Sequence, residues 1–351
     1  MHIKVNKKGG SMTKIQKALR NEAIDKVPIW FMRQAGRYLP EYQEVKRGKD
    51  FMQMVLDPQI ASEITLQPIE RFDLDAAIIF SDILVLLHAL DMDVSFATGS
   101  PELGKTVSDS VQLNDLKSSY DKEILKKRLD YYRETIQITR NKLNNTKSLL
   151  GFAAAPFTLA SYMVEGKTSK THAKVRAWMH SDTRGFLELQ DFIVKATIDY
   201  LDLQIDAGVD AIQLFDSWGD AMDTETYSTF IIPYIEKIAE VISKRVPVIF
   251  FCRGASIHRD ALKRVYQHGV SMVSLDWRIP VDYFGELPVQ GNLDPAMLFS
   301  NPETVRSEVS KILERRGHKK GFIFNLGHGI YPETPLENVA AMVETVKAFN
   351  V

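Results

Sequence analysis

Arg33 and Arg37 flank Gly36 directly after a short apolar run, in a segment over residues 28–42 that reads PIWFMRQAGRYLPEY. Guanidinium groups hold planar anions such as carboxylates through two parallel hydrogen bonds, which an ammonium group does less well. The glycine would let the backbone turn and approach a ligand closely. An ordinary i, i+4 pair on an exposed helix is the alternative, but the flanking prolines and the apolar run argue against it. The segment therefore predicts an anion-binding turn at the end of a buried strand.

Four further polar side chains follow apolar runs elsewhere in the chain: Asp82, Tyr162, Ser217 and His328. Taken singly, Asp82 has the residue type of a helix N-cap, and Tyr162 that of a half-buried packing residue. His328 stands between two glycines, which are expected to expose it and bend the chain. Only the joint occurrence of these residues after successive runs favours a common site.

The elements that must position them are recurrent short apolar runs separated by amphipathic stretches. Continuous apolarity is typical of parallel strands buried on both faces, and alternation with helices indicates right-handed βαβ units. No G-x-G-x-x-G or P-loop motif supports a doubly wound sheet. We therefore expect a single-domain (β/α)8 TIM-type barrel over residues 13–351, with its active-site cleft at the C-terminal ends of the strands. The expected strands are Pro28–Met32, Ala76–Phe80, Leu149–Ala155, Ala211–Phe215, Pro247–Phe251, Met272–Leu275, Pro288–Gln290 and Gly321–Phe324, and the clearest helices are Asp121–Lys142, Phe186–Ala207, Thr224–Lys244 and Asn301–Arg316.

Composition limits the classes of function. The chain has 351 residues, 45% hydrophobic and 25% charged, with a net charge of −1, so no global basic field exists to hold nucleic acid or a membrane surface. The single cysteine, Cys252, excludes an intrachain disulfide and is expected to be a buried structural thiol. No apolar run is long enough to span a membrane. Residues 1–12 are expected to be a disordered extension without a secretory signal, and the protein is expected to be cytoplasmic.

Six segments together resemble the uroporphyrinogen decarboxylase family, and the likeness runs from about Thr13 to the C-terminus. The resemblance implies a usually dimeric (β/α)8 enzyme that needs no metal or organic cofactor. Such an enzyme removes carbon dioxide from the four acetate side chains of uroporphyrinogen to give coproporphyrinogen in heme and tetrapyrrole synthesis. The matching segments are Met32–Tyr38, Phe80–Asp82, Gly151–Gly166, Phe215–Gly219, Gln290–Pro295 and Asn325–Pro332.

The resemblance also implies roles for the residues above. Asp82 would accept hydrogen bonds from pyrrole N–H groups and stabilise the cationic ring from which carbon dioxide leaves. Arg33 and Arg37 would hold substrate carboxylates, and one of them would also relay a proton. Which group is the general acid stays open. Catalytic candidates are therefore Asp82, Arg33 and Tyr162, and substrate-binding candidates are Arg33, Gln34, Ala35, Gly36, Arg37, Asp82, Tyr162, Ser217 and His328.

The departures from the family pattern are mild. Ala154 stands where glycine is frequent, and Ser217 stands where many bacterial members have threonine. Arg253 follows Cys252 where a lysine is commoner. Lys46 occupies a position that is often arginine, with Arg47 beside it as a substitute. None of these changes removes a chemical role.

Two other classes of function remain as alternatives. Related methyltransferases of the same fold bind zinc through a His-x-Cys element and a distant second cysteine, and a chain with one cysteine and no histidine two residues before it lacks that set. A binding barrel that has lost its activity would lack Asp82 or the arginine pair, and both are present.

Overall fold

The computed structural model describes residues 11–96 and 99–351, so the first ten residues of the predicted extension over residues 1–12 lie outside the described part. Within the described residues a seven-stranded parallel sheet runs in the order β1-β4-β5-β6-β7-β8-β9. Every consecutive pair in this sheet is parallel, as expected for βαβ units. A separate antiparallel pair joins β2 to β3. The strands are β1 Ala76–Ile78, β2 Val94–Ser95, β3 Glu102–Leu103, β4 Ser148–Ala154, β5 Ala211–Asp216, β6 Val248–Cys252, β7 Val270–Leu275, β8 Val289–Leu293 and β9 Phe322–Leu326.

Seven of the eight predicted strands are confirmed as the members of this sheet. The predicted run Pro28–Met32 instead makes a single parallel bridge, between Ile29 and Phe324 of β9. Its backbone nevertheless reaches both edges of the sheet. Phe324 N–H donates to Pro28 O at 2.9 Å, and Asp75 N–H, just before β1, donates to Ile29 O at 2.9 Å. The sheet is therefore curled so that its two edges lie on either side of this run.

The same run is held from inside the sheet by buried polar side chains. Trp30 Nε1 donates to Gln290 Oε1 at 2.8 Å. The amide nitrogen of Gln290 in turn donates to Gln213 Oε1 at 3.1 Å and to Ser274 Oγ at 2.9 Å. All three partners of Gln290 are fully or almost fully buried. This network joins the 28–30 run to β5, β7 and β8.

Amphipathic helices follow the strands and cover the sheet. Two predicted helices are each broken into two: Asp121–Lys142 at Leu129, and Thr224–Lys244 at Ile231. Pro233 accounts for the second break, because it has no N–H to donate to the carbonyl of Thr229 in the preceding helix and its ring crowds that carbonyl. The helices of the described residues are α1 Lys14–Leu19, α2 Pro40–Lys46, α3 Phe51–Leu56, α4 Pro58–Phe72, α5 Val85–Ala89, α6 Ser110–Ser119, α7 Lys122–Arg128, α8 Asp130–Leu143, α9 Pro156–Glu165, α10 Ala173–Ser181, α11 Thr183–Ala207, α12 Thr224–Phe230, α13 Ile232–Ile242, α14 Arg259–Arg264, α15 Pro302–Arg316 and α16 Leu336–Ala348, with short 3₁₀ turns at Gly219–Ala221, Val265–His268 and Pro295–Phe299.

Candidate active site

A cavity of about 870 Å³ opens at the C-terminal ends of the strands. Its volume lies within the range of ordinary ligand pockets. All nine candidate site residues from the sequence line this one cavity, although they come from five separate parts of the chain. The nine are Arg33, Gln34, Ala35, Gly36, Arg37, Asp82, Tyr162, Ser217 and His328.

Most of the remaining lining is aromatic and aliphatic. Two ring contacts connect Phe51 with Phe80 and with Phe96, at centroid separations of 5.5 and 4.8 Å. Phe215 contacts Phe152 and Phe251 in the same way, at 5.9 and 6.1 Å. A ligand that enters this cavity therefore meets broad apolar walls with charged groups at a few points. Such a lining suits a large, mainly apolar ligand that carries anionic substituents.

The arginine turn is built on an unusual backbone conformation. Arg33 has φ 62°, in the left-handed region that non-glycine residues rarely adopt. Gln34 is fully buried and holds the turn in place: its amide donates to Ala76 O of β1 at 3.0 Å, and its side-chain oxygen accepts from Phe31 N–H at 3.2 Å. Tyr38 also donates to Gln34 O at 2.7 Å. The Gln34 side chain is thus structural, while its neighbours face the cavity.

Glycines accompany bends of the chain at two points of the cavity wall. Gly36 lies in a bend and lines the cavity, as expected for a turn, although the residue with the left-handed φ is Arg33. The chain also bends at Gly327 and His328, and His328 is only partly buried at the cavity wall, as expected from its flanking glycines. The two flanking glycines also leave space: a Cβ on Gly329 would lie 2.8 Å from Arg33 Cγ and 2.9 Å from its Nε, and one on Gly327 would lie 2.5 Å from Trp277 N.

Both arginines of the turn are exposed and available to a ligand. Within the described residues, neither Arg33 nor Arg37 forms an ion pair with a carboxylate. Lys46 adds a third cation to the cavity wall, whereas Arg47 does not line the cavity. The positive charge of the site is therefore concentrated on one side, close to the turn.

Asp82 lies among apolar residues at the end of the segment after β1. Its Oδ1 accepts from Leu84 N–H at 2.9 Å, so it does shape the turn that precedes α5. No other hydrogen bond to its carboxylate is formed within the described residues, and the second oxygen is left for a ligand. Burial raises the pKa of this carboxyl above its ordinary value, and the Leu84 hydrogen bond and the charge of Arg33 oppose that rise.

Tyr162 and Ser217 approach from the neighbouring strands. Tyr162 lies in α9, as expected, and is buried, so burial raises the pKa of its phenol. Its ring lies 6.2 Å from that of Trp218. Ser217 follows directly after β5, and its backbone N–H donates to Thr158 Oγ1 at 3.0 Å. The Ser217 hydroxyl has no partner among the described residues and is half-buried at the cavity wall.

His328 is partly buried after β9. Burial, together with the charges of Arg33, Arg253 and Arg278, lowers its pKa to about 4. The imidazole is therefore neutral near pH 7. A neutral ring can donate one hydrogen bond to a ligand and adds no positive charge to the site.

Cys252 is buried, as the sequence predicted. Its sulfur lies 3.3 Å from Tyr227 Oη. In the described part of the chain, no three His, Cys, Asp or Glu side chains come together in a way that could hold a metal ion. Over the same residues, no helix is long and apolar enough to cross a membrane.

Sequence reasoning missed the supporting residues of the site. Thr158 and the phenylalanines carry no charge. The role of Gly329 becomes visible only from its contact with Arg33, which lies about three hundred residues earlier in the chain. The one available signal was the density of phenylalanine at strand ends, such as Phe80, Phe215 and Phe251. Contacts between distant segments are what the sequence leaves out.

Comparison with known proteins gives a consistent family. The family model described as uroporphyrinogen decarboxylase (URO-D) matches residues 11–349. Relatives named uroporphyrinogen decarboxylase include one from Geotalea daltonii, which is 38% identical over 95% of this chain and 98% of its own length. One from Coxiella burnetii is 39% identical over 95% and 94%, and one from Methylococcus capsulatus is 38% identical over 95% and 97%.

Solved structures share the fold at low sequence identity. A methyltransferase from Methanosarcina mazei superposes with a TM-score of 0.79 at 20% identity, covering 96% of this chain and 98% of that one. A putative vitamin-B12-independent methionine synthase from Listeria monocytogenes gives 0.56 at 10% identity, over 96% and 98%. At these identities the likeness concerns the fold and not the chemistry.

Proposed function

The chain belongs to the uroporphyrinogen decarboxylase family, and on that premise we propose a role for each side chain of the cavity. The enzyme is a carboxy-lyase that removes carbon dioxide from the four acetate side chains of uroporphyrinogen III to give coproporphyrinogen III in heme and tetrapyrrole biosynthesis. The observation that carries the assignment of roles is that the nine candidate residues, from five separate parts of the chain, line one cavity.

The reaction needs a place for the electron pair of the breaking bond. Protonation of a pyrrole α-carbon gives a cationic ring that takes up the electrons when the bond between the acetate methylene and its carboxylate breaks. Carbon dioxide leaves, the exocyclic methylene gains a proton and becomes a methyl group, and the α-carbon returns its proton. The decarboxylation of each acetate therefore consumes one proton and releases one carbon dioxide.

We assign stabilisation of the cationic ring to Asp82. Its free oxygen and its apolar surroundings support this role, since a charge acts more strongly where water is excluded. Pyrrole N–H groups would donate to this carboxylate. The positive charge that develops on the ring then lies against a fixed negative charge, which lowers the barrier for bond breaking.

We assign the substrate carboxylates to the remaining polar groups. Arg33 and Arg37 would bind acetate and propionate groups through their forked guanidiniums, with the backbone of residues 34–36 beside them. Neutral His328 and the hydroxyl of Ser217 would donate single hydrogen bonds to further carboxylates. We propose that Arg33 and Tyr162 transfer protons near Asp82. The charge of Arg33 acts on the Asp82 carboxyl, and the charge of Asp82 acts on the Tyr162 phenol.

Three further properties complete the proposal: the closure of the barrel, the oligomeric state and the location in the cell. Pairing of the run at residues 28–30 with both sheet edges supports counting it as an eighth strand, which would complete the (β/α)8 barrel of residues 13–351. Family membership supports a homodimer and a cytoplasmic location, and the exposed stacked rings of Phe299 and Tyr331 at the cavity mouth offer an apolar contact for a second copy.

The direct test is incubation with uroporphyrinogen III under reducing conditions, followed by separation of the products by carboxyl number. We expect intermediates with seven, six and five carboxylates and then coproporphyrinogen, with about four molecules of carbon dioxide released per substrate. A parallel incubation with isomer I measures isomer preference. If well-folded protein binds uroporphyrinogen tightly and releases no carbon dioxide, the chain is a binding barrel and the assignment of catalytic roles is wrong.

A further inference from the structure

A fully buried hydroxyl connects two of the elements that line the cavity. Thr158 lies in the first turn of α9, and its Oγ1 donates to Asp216 Oδ1 at 2.9 Å. The same oxygen accepts the backbone N–H of Ser217 at 3.0 Å. One atom therefore ties the start of α9 to the end of β5. Thr158 itself does not line the cavity.

The direction of these two bonds is set by Asp216. This carboxylate is fully buried, and its other oxygen accepts from Tyr227 Oη at 2.7 Å. Burial raises the pKa of Asp216, while the donated hydrogen bonds of Tyr227, Thr158 and the Trp218 backbone hold it down. Asp216 Oδ1 also accepts the Trp218 backbone N–H at 3.4 Å, and its Oδ2 accepts from Tyr227, so both oxygens act as acceptors and Thr158 donates its single proton to Asp216. Its lone pair is then left for Ser217 N–H.

Tyr227 makes this arrangement rigid. Its ring stacks on His258 with centroids 3.9 Å apart, and the imidazole of His258 contacts Gly219 O at 2.8 Å. Tyr227, which donates to Asp216, is thus packed against His258 on the side away from the cavity. On the inner side, only the Thr158 bond restrains the backbone N–H of Ser217 among the described residues.

We propose that Thr158 is a positioning residue for substrate binding. By holding the Ser217 backbone, it fixes the point from which the Ser217 hydroxyl meets a substrate carboxylate, while it never touches the substrate itself. This inference rests on the proposed role of Ser217. It predicts an effect on substrate affinity, because Ser217 is assigned to binding a carboxylate, whereas stabilisation of the reacting ring is assigned to Asp82.

The first experiment compares Thr158→Val with Thr158→Ser. Valine keeps the shape and removes the hydroxyl, so Ser217 N–H loses its acceptor and the hydroxyl of Ser217 shifts. We expect KM for uroporphyrinogen III to rise roughly tenfold with kcat reduced less than twofold, below the ~100-fold cost of a 1 Å misplacement of reacting groups. Serine keeps the hydroxyl and is expected to restore the wild-type KM. A lower melting temperature with unchanged KM would mean that Thr158 only stabilises the fold.

The second experiment is a double-mutant cycle with Ser217→Ala. If Thr158 acts through Ser217, the valine variant should add nothing to KM once the Ser217 hydroxyl is gone. If the two substitutions instead raise KM by factors that multiply in the double variant, the inference is overturned. If Ser217→Ala alone leaves KM unchanged, the role proposed for Ser217 fails, and a raised KM for Thr158→Val must then be assigned to another contact. Should the valine variant fail to fold, Thr158→Ala takes its place in the same cycle with the same expected result.

Discussion

Arg33 places its charge in the cavity at the cost of a strained backbone. A left-handed φ of 62° at a non-glycine residue costs on the order of 1–3 kcal/mol, and such residues persist only where their surroundings hold them. The buried hydrogen bonds of Gln34 do so here. Sequence reasoning located the turn from its arginines and Gly36 but did not predict the left-handed backbone of Arg33. The reason is physical: φ at Arg33 is imposed by contacts with β1, which no local pattern records.

Gly329→Ala tests whether the space beside His328 exists for Arg33. A Cβ there meets the side chain of the exposed Arg33 at Cγ, Cδ and Nε and no backbone atom, so the protein should fold normally while the guanidinium is displaced. We expect kcat/KM to fall by roughly tenfold to a hundredfold, the scale of a misplaced binding group. Arg33→Ala is the matched background, because the Gly329 change should cost nothing further once the arginine is gone. An equal loss in that background would show that Gly329 serves another purpose.

Asp82→Asn should reduce catalysis more than binding. The amide keeps the shape and the Leu84 contact but not the charge, which matters most when the ring becomes cationic. By the scale of single electrostatic groups, kcat should fall about a hundredfold or more with little change in KM. Steady-state kinetics on protein of unchanged circular dichroism gives the measurement. Nearly full turnover would reduce Asp82 to a residue that only shapes the turn before α5.

The pH profile should report the ionisation of Asp82. Its pKa is raised mainly by burial and the active form is ionised, so activity should be lost as pH falls through this raised pKa. Arg33 lowers that pKa, and Arg33→Gln should therefore move the acid limb of kcat/KM to higher pH. Arg37→Gln is the control, since Arg37 is not among the groups that act on this carboxyl. Equal shifts in both variants would contradict the assignment.

Among the elements, strands were easier to predict than helix ends. Seven runs of buried apolar residues became strands of one parallel sheet, because burial on both faces leaves a continuous pattern. The β2–β3 pair is too short, at two residues each, to leave any pattern. The break at Leu129 has no proline or glycine to announce it. Segment 28–32 reads as a strand and forms one bridge, since its pairing depends on sheet edges that are distant in sequence.

Gln290→Leu tests the polar network that fastens the 28–30 run. Leucine has a similar volume but leaves Trp30 Nε1 and Gln213 Oε1 buried without their partner. Each unsatisfied group costs about 1–3 kcal/mol, so the free energy of unfolding should fall by about 2–6 kcal/mol in urea titrations. Gln290 does not line the cavity, and turnover per folded molecule should stay near that of wild type. An unchanged unfolding midpoint would mean that the network is energetically unimportant.

The whole molecule carries almost no net charge, yet its substrate carries eight carboxylates. Long-range attraction by the protein as a whole is therefore negligible, and affinity has to come from the cations gathered on one wall of the cavity. Composition alone thus indicates a need for local charge. It could not predict which cations would face inwards, since Lys46 lines the cavity and its neighbour Arg47 does not.

Arg37→Lys separates charge from geometry in that local group. The lysine keeps the charge but loses the planar fork, so KM should rise at every ionic strength. The loss of binding free energy that corresponds to this rise should exceed the ~0–1 kcal/mol typical of an exposed ion pair. KM measured from low to high salt gives the test, with Arg47→Lys as a control outside the cavity. If Arg37→Lys matches wild type throughout, Arg37 is a solvated surface residue.

The pairing of residues 28–30 with β9 has a consequence for how the protein is made. Pro28 and Phe324 lie close to opposite ends of the described chain, so a growing polypeptide on the ribosome cannot join them until the last strand has been synthesised. Until then the edges of β1 and β8 stay open to other chains. The space at Gly329 that receives Arg33 is also missing. We therefore expect the site to form only after β9 and the residues around Gly329 have been synthesised, and a product truncated before β9 to be inactive.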